Sequence, residues 1–291
     1  MLAFIQVLTS GIAIGCVYGL VALSFVLIYK ATETVSFMQG DLLMLGAFAA
    51  LALHLGLGWP LWLAAPVAVA AAGALGAALE RLALRRAIGQ PHLVAVLLTF
   101  GLGMMMRGGV ASVPAAAQDT YRLPFAADTV AFGPLVLASS HLWVVGATFL
   151  LAGALAAFFH HTRTGRVLRA CSEDARTAAL LGWPVARMHT LAWGLGAAVA
   201  AVAGLLLAPV TFVHLNMGFI ALKAFPAAVL GGLTSLPGAL LGGVFLGVVE
   251  AVAGLVLPEG VKDMVPYALL LLALLLFPQG LGAGRAARTS V

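Results

Sequence analysis

The chain has 291 residues, of which 63% are hydrophobic and only 9% are charged. Soluble domains run at roughly 45–50% apolar and about 25% charged, so a water-soluble fold is excluded and an integral membrane protein is implied. The net charge of +5 is therefore informative through where Lys and Arg fall along the chain, not as a sign of a nucleic-acid partner.

A bilayer core about 30 Å thick needs about 20 apolar residues per crossing helix. Runs of that kind lie at about 7–29, 38–56, 60–79, 92–112, 141–159, 188–210, 218–235, 237–257 and 262–277. The expectation is an all-α, polytopic transmembrane helix bundle of eight or nine spans, one domain over 1–291 with no linker or appended soluble unit. The first run lacks a basic leader and a small-residue cleavage site and is read as a retained helix. Gly11, Gly15 and Gly19 recur in it at four-residue spacing, as Ala239, Gly243 and Gly247 do in the eighth run. That pattern lets helix backbones approach closely, with a glycine-lined solute passage as the alternative. In the second run Asp41 lies one turn into the span, after Ser36, Gln39 and Gly40, where a helix N-terminus favours a carboxylate. Lys223, Pro226 and the pair Gly231–Gly232 interrupt the seventh run and make it the candidate broken or re-entrant helix. Glu250 lies inside the eighth run. An ionised acid near the bilayer centre costs roughly 2.5–3.5 kcal/mol, so Glu250 must face the bundle interior or water, either as a gating charge or as a structural hydrogen bond. The ninth run is short and carries Pro266.

With nine crossings and the amino terminus outside, Lys30, Arg81, Arg85, Arg86, Arg163, Arg166, Arg169, Arg176, Arg187, Arg285 and Arg288 face the cytoplasm. Arg107, Arg122, Lys223 and Lys262 lie at or near the other side. This is the positive-inside distribution. Residues 113–140, with Pro114, Asp119, Arg122, Pro124 and Asp128, form an external loop that is either an ordered connector or a lid. Residues 160–187 form a cytoplasmic loop in which Ser172 stands as a helix N-cap, Glu173 and Asp174 follow in the first turn, Gly182 fits the C-terminal stop and Pro184 comes after. These signals predict a short helix over 173–182. So short a helix must pack on something, either its own bundle or a partner docking on Ala175, Ala178, Ala179 and Leu181.

Catalytic chemistry finds no support in the pattern. The seven histidines fall at span ends or in loops without H-E-x-x-H or a Cys/His cluster of metal spacing, and neither Cys16 nor Cys171 belongs to a disulfide framework. A Walker A loop needs Gly-Lys, and Lys30, Lys223 and Lys262 follow Tyr, Leu and Val. No cofactor, metal or nucleic acid is expected on this chain.

Three stretches resemble the branched-chain amino acid permease family of ABC importers, in its smaller-permease branch. The first runs from Gly15-Cys16-Val17-Tyr18-Gly19-Leu20 through Ser36-Phe37-Met38-Gln39-Gly40-Asp41 to Met44-Leu45-Gly46-Ala47. The second is Arg169-Ala170 through Glu173-Asp174, Ala178-Ala179 and Leu181-Gly182, similar to the loop by which such permeases touch the ATPase. The third is Lys223-Ala224-Phe225-Pro226 through Gly231-Gly232, Gly243 and Gly247 to Glu250. Ser36 stands where the family usually has Asn, and Asp41 where it has Glu. The resemblance implies a permease of the bacterial inner membrane that moves a small polar solute, a branched-chain or related amino acid before urea, by alternating access. It implies Ser36, Gln39, Gly40, Asp41, Gly231, Gly232 and Glu250 along the solute pathway. It implies Arg169, Glu173, Asp174, Ala178, Ala179 and Gly182 at the ATPase contact. The implied partners are a second homologous permease, two cytoplasmic ATPase subunits that use the ATP, and a periplasmic binding protein. A stand-alone secondary transporter or channel is the competing reading, and it would not need the 173–182 helix.

Overall fold

Long uninterrupted apolar runs become long helices, and interrupted ones become short helices. The computed structural model describes residues 2–87, 90–113, 129–132, 135–258 and 260–276. Its helices are α1 (Leu2–Thr32), α2 (Gln39–Leu51, continued by a wider turn over Ala52–Gly56), α3 (Leu61–Leu82) and α4 (His92–Ala111), then α5 (Ser139–His161), α6 (Arg163–Glu173), α7 (Ala175–Leu180) and α8 (Val185–Thr211). After a 3-10 turn at Leu215–Phe219 come α9 (Ile220–Gly231), α10 (Leu236–Ala253) and α11 (Val265–Leu276). Among the described residues seven helices are long and apolar enough to cross a membrane: α1, α2 with its continuation, α3, α4, α5, α8 and α10.

The expected seventh and ninth spans come out differently. The 12 residues of α9 rise about 18 Å, too little to cross a core of about 30 Å. The ninth begins at Val265, later than expected, and is described for 12 residues. In the 113–140 segment a two-stranded antiparallel hairpin pairs β1 (Thr129–Phe132) with β2 (Leu135–Ala138), in the register Thr129 opposite Ala138. Pro114, Asp119, Arg122, Pro124, Asp128, Arg285 and Arg288 lie outside the described residues.

The core gathers around α1, whose Leu20, Val21, Ala22, Val26 and Ile28 are fully buried. It packs along α8 and α10. The two small-residue stripes meet: a Cβ on Gly11 would stand 2.6 Å from the Ala251 Cβ, and one on Gly15 would stand 2.8 Å from the Val244 Cα. Between these two helices, then, the stripes are a packing seam, and the space a passage would need is filled by backbone. The outer helices α3, α4 and α5 turn Trp62, Met105, Trp143 and Leu150 outward, as lipid-facing surfaces require.

Two chain reversals position the interior. After α1, Glu33 takes a left-handed φ of 52°, and after α8, Phe212 takes 69°. Neither is glycine, so both are held by their surroundings at a local cost. Each reversal sends the chain back into the bundle, the first into α2 and the second into the 3-10 turn and α9.

Candidate functional site

The re-entering segments meet at Gly40 and Gly218. A Cβ at Gly40 would collide with the Gly218 carbonyl and reach within 3.0 Å of the Ala221 Cβ, so only glycine allows the contact. Since α9 runs from here to the turn at Gly232–Ser235, the junction stands about 18 Å from that turn, about three-fifths of the thickness of a bilayer core. Both helices point their N-termini toward it.

Asp41, in the first turn of α2, forms an ion pair with Arg107 of α4, with Nη2 at 2.9 Å and Nε donating at 3.0 Å to the same Oδ1. The Arg107 guanidinium lies 4.5 Å over the Phe219 ring, a cation–π contact that ties α4 to the entrance of α9. The Phe37 amide donates to the Thr99 hydroxyl at 3.2 Å. Ser36 and Gln39 are buried, and the Ser36 hydroxyl and both ends of the Gln39 amide have no hydrogen-bond partner among the described residues. Buried polar groups are normally paired. Unpaired hydroxyl and amide groups beside two helix N-termini form a polar, donor-rich spot in an otherwise apolar interior.

Glu250 lies elsewhere, on the opposite face of α9. Its Oε2 accepts from the Tyr18 hydroxyl at 2.7 Å and its Oε1 pairs with Lys223 at 3.0 Å. Lys223 also pairs with Asp263, just before α11. One lysine on α9 thus joins α1, α10 and the α11 entrance. Gly231 and Gly232 sit at a third place, the α9–α10 turn, where Gly232 has φ 89° and Gly231 packs directly on Gly238. The seven residues expected along one pathway therefore divide into a junction (Ser36, Gln39, Gly40, Asp41), a charged network (Glu250) and a tight turn (Gly231, Gly232).

The basic end of the bundle carries the interhelical loop. The helix expected over 173–182 is the shorter α7, Ala175–Leu180, and a second helix, α6, precedes it over Arg163–Glu173. Thr162 caps α6 by accepting from the Gly165 amide at 2.9 Å, and Asp174 caps α7 by accepting from the Arg176 and Thr177 amides at 2.9 and 3.0 Å. Ser172 is not the cap: its hydroxyl donates backward to the Arg169 carbonyl at 2.7 Å, inside α6. The Thr177 hydroxyl and the amides beside Asp174 hold its carboxyl below the usual carboxylate range. Gly182 stops α7 with φ 83°. Ala178 is buried, whereas Ala179, Leu180, Leu181 and Trp183 face outward. Beside them a groove of about 750 Å³ runs along Arg163, Arg166, Trp183 and Met188. Arg169 and Glu173 line a separate cavity next to Lys30.

Sequence reasoning assigned no partner to Arg107 or Lys223 and did not single out Glu80. Glu80 is 1% exposed and is held by Arg85 at 3.2 Å and by the Thr190 hydroxyl at 2.6 Å, tying α3 to α8. The available signal was that a cation inside an apolar run needs a carboxylate, and Asp41 and Glu250 were the carboxylates within apolar runs. Among the described residues no group of three or more His, Cys, Asp or Glu could hold a metal ion.

The family model described as branched-chain amino acid transport system, permease component, matches residues 7–274. The chain is 34% identical to the high-affinity branched-chain amino acid transport system permease protein LivH of Escherichia coli K12, covering 96% of each chain. It is 33% identical to the corresponding permease protein BraD of Pseudomonas aeruginosa, covering 96% of this chain and 95% of that one. Among solved structures, PsaBC from Streptococcus pneumoniae in complex with Fab matches with a TM-score of 0.51 over 92% of this chain and 90% of that one; at 16% identity the likeness is one of fold alone.

Proposed function

We propose, from the premise that the chain belongs to the family of branched-chain amino acid transport system permease components, that it is the smaller membrane subunit of an ATP-driven importer of branched-chain amino acids. The family is one of transport permeases and not of enzymes, and the chain is a multi-pass inner-membrane protein. ABC importers work with ATPase and binding-protein partners. In the assembly we propose, this chain pairs with a second, homologous permease, two ATPase subunits energise the pair, and a periplasmic protein delivers the solute. The chain itself binds no cofactor.

The observation that carries the mechanism is the junction at Gly40 and Gly218. A free amino acid is a zwitterion, and its carboxylate needs donors at a depth where water is scarce. Two converging helix N-termini, with the Ser36 hydroxyl and Gln39 amide beside them, supply donors and positive dipole ends, the arrangement by which broken helices receive anionic solute groups. Arg107 neutralises Asp41, so that carboxylate does not repel the solute. Closure of the ATPases would push on α7 through Leu180, Leu181 and Trp183, and the packed helices would rock to expose the junction to either side. Glu250 is then a strut whose charge is spent on Lys223 and Tyr18.

The test is uptake by the purified assembly in liposomes with the binding protein supplied. ATP-dependent accumulation of leucine that falls at least tenfold in Gln39→Leu, at undiminished assembly, is the expected result. Transport of urea without leucine would refute the solute, and uptake without ATPase subunits would favour a stand-alone transporter.

A further inference from the structure

At the basic end a cavity of about 470 Å³ opens between α1, α5, α6 and the α9–α10 turn. Its rim carries Lys30 from the last turn of α1, His160 from α5, and Arg169 and Glu173 from α6. Its deeper walls are apolar, formed by Leu23, Leu155, Phe159 and Leu240. Leu23 lies seven residues before Lys30 on the same helix, so the apolar wall extends about 10 Å below the charged rim. Ala156 on α5 lines the cavity and is itself exposed, and Leu241 beside the lining Leu240 on α10 faces outward, so the cavity opens toward the lipid-facing side of the bundle.

Neither rim cation forms a salt bridge among the described residues, although Glu173 on the same rim attracts Lys30. Among the described residues Lys30 makes no hydrogen bond or salt bridge, and the polar contact of Arg169 is to His160 Nε2 at 3.5 Å. Glu173 shares the rim without a bridge to either cation. The Ser235 hydroxyl, whose oxygen accepts from the Gly238 amide, keeps its proton free to donate into the same space. Lys30 alone would be a cation placed well for the α1 C-terminus. Cations from two helices with a histidine between them, above an apolar slot, require a ligand that is anionic at one end and hydrocarbon at the other.

We propose that this cavity binds an anionic phospholipid of the cytoplasmic leaflet, its phosphate at Lys30, Arg169 and Ser235 and the start of one acyl chain along Leu23, Leu155 and Phe159. Basic pockets between transmembrane helices on that side are suited to lipid headgroups. The site is independent of the solute junction. It sits beside α6, which leads directly into the proposed ATPase contact, so lipid occupancy would brace the base of that loop.

The assay takes the assembled importer in mild detergent, stripped of endogenous lipid. Phosphatidylglycerol, phosphatidylcholine and inorganic phosphate are added separately while bound lipid is counted by native mass spectrometry and thermal stability is followed. Selective retention of phosphatidylglycerol is expected, falling roughly fivefold for each cation removed in Lys30→Gln and Arg169→Gln and restored by Lys30→Arg. A photoactivatable residue at Ala156, which lines the mouth, should acquire the mass of one phospholipid. Equal retention of the two lipids, a shift produced by inorganic phosphate alone, retention unchanged in both Gln variants, or crosslinking of position 156 to a polypeptide would each overturn the proposal.

Discussion

Lys223 is the cation on which Glu250 and Asp263 converge, with Tyr18 holding the second oxygen of Glu250. Lys223→Met keeps most of the apolar stem and removes the charge. Removing one partner of a buried pair costs about 3–5 kcal/mol. Here the side chains of Lys223, Glu250 and Asp263 are 23%, 12% and 49% exposed, so water screens the Asp263 half. A cost of about 2–3 kcal/mol remains, most of it from the stranded Glu250. Glu250→Gln should cost only about 1 kcal/mol, because its carbonyl still accepts from Lys223, its amide can donate to the Tyr18 oxygen, and Asp263 keeps Lys223 neutralised. In Lys223→Met/Glu250→Gln the stranded charge is gone, so the pair should be less damaging than the sum by about 1–2 kcal/mol. Equilibrium unfolding in mixed micelles titrated with a denaturing detergent measures these differences, and about 2–3 kcal/mol appears as a 30- to 150-fold change in the folded-to-unfolded ratio. Uptake per assembled complex should stay near wild type in Glu250→Gln. If Lys223→Met unfolded at the wild-type detergent fraction, or the double variant were additive, the network would not be a strut. Lost uptake in Glu250→Gln at full stability would make its charge a gating element.

Four further outcomes are expected. Gly182→Val places a β-branched residue at φ 83°, a cost of about 1–3 kcal/mol, and should leave the complex assembled while separating ATP hydrolysis from uptake; normal coupling would reduce α7 to a connector. The Asp174 carboxyl is held below its ordinary range, so its cap is fully present above about pH 4 and lost as pH falls through the lowered folded-state value; protection of the Arg176 and Thr177 amides, taken against their intrinsic exchange rates, should fall only in that acid window, and Asp174→Asn should abolish that fall. Gly243→Val must displace the Gly19 backbone and should cost at least the 1–3 kcal/mol typical of overpacking, seen as loss of folded protein; wild-type yield would show that the α1–α10 seam is looser than it is drawn. Single cysteines at Leu82 and Thr164 should be shielded from an impermeant thiol reagent added outside intact cells, and those at Leu57 and Val113 should label; the reverse pattern would invert the orientation.

What the sequence makes legible follows from periodicity. The lipid-facing and buried helices and the backbone-to-backbone seam of Gly11, Gly15 and Gly19 against Gly243 and Gly247 rest on residue type at fixed spacing, and the structure has both. The interruption expected in the seventh run is present, but α9 runs unbroken through Lys223 and Pro226 and the breaks lie before Ile220 and at Gly232. Pairings across the bundle rest on tertiary contact, and no local pattern joins Asp41 to Arg107 or Lys223 to both Glu250 and Asp263. The loop helix shows a subtler limit. Ser172 and Asp174 are both good caps, and spacing does not rank them. The backward bond from Ser172 to Arg169 lets α6 run on, and the extended conformation of Asp174, φ −152°, breaks the helix two residues later. Hydropathy also reads 38–56 as an ordinary span, because a window average over its apolar residues carries no sign of where within the bundle its first turn lies.

That hidden reversal is the feature from which the transport reading follows. A helix that begins inside the bundle leaves its first amides without intrahelical acceptors, and hydrocarbon offers them none. Such a break persists only where protein groups compensate, and each broken helix here has an ion pair in its first turns: Asp41 with Arg107 on α2, Lys223 with Glu250 on α9. The two reversals enter from opposite ends of the bundle, after the α1 terminus beside Lys30 and after the α8 terminus remote from it. Their N-termini therefore converge in the interior with opposed helix directions. A bundle needing only stability would run α9 straight through and would gain nothing from the unpaired Ser36 and Gln39. In the proposed function, a zwitterionic amino acid passing the two helix N-termini has the chemistry to satisfy them in one state of the working cycle.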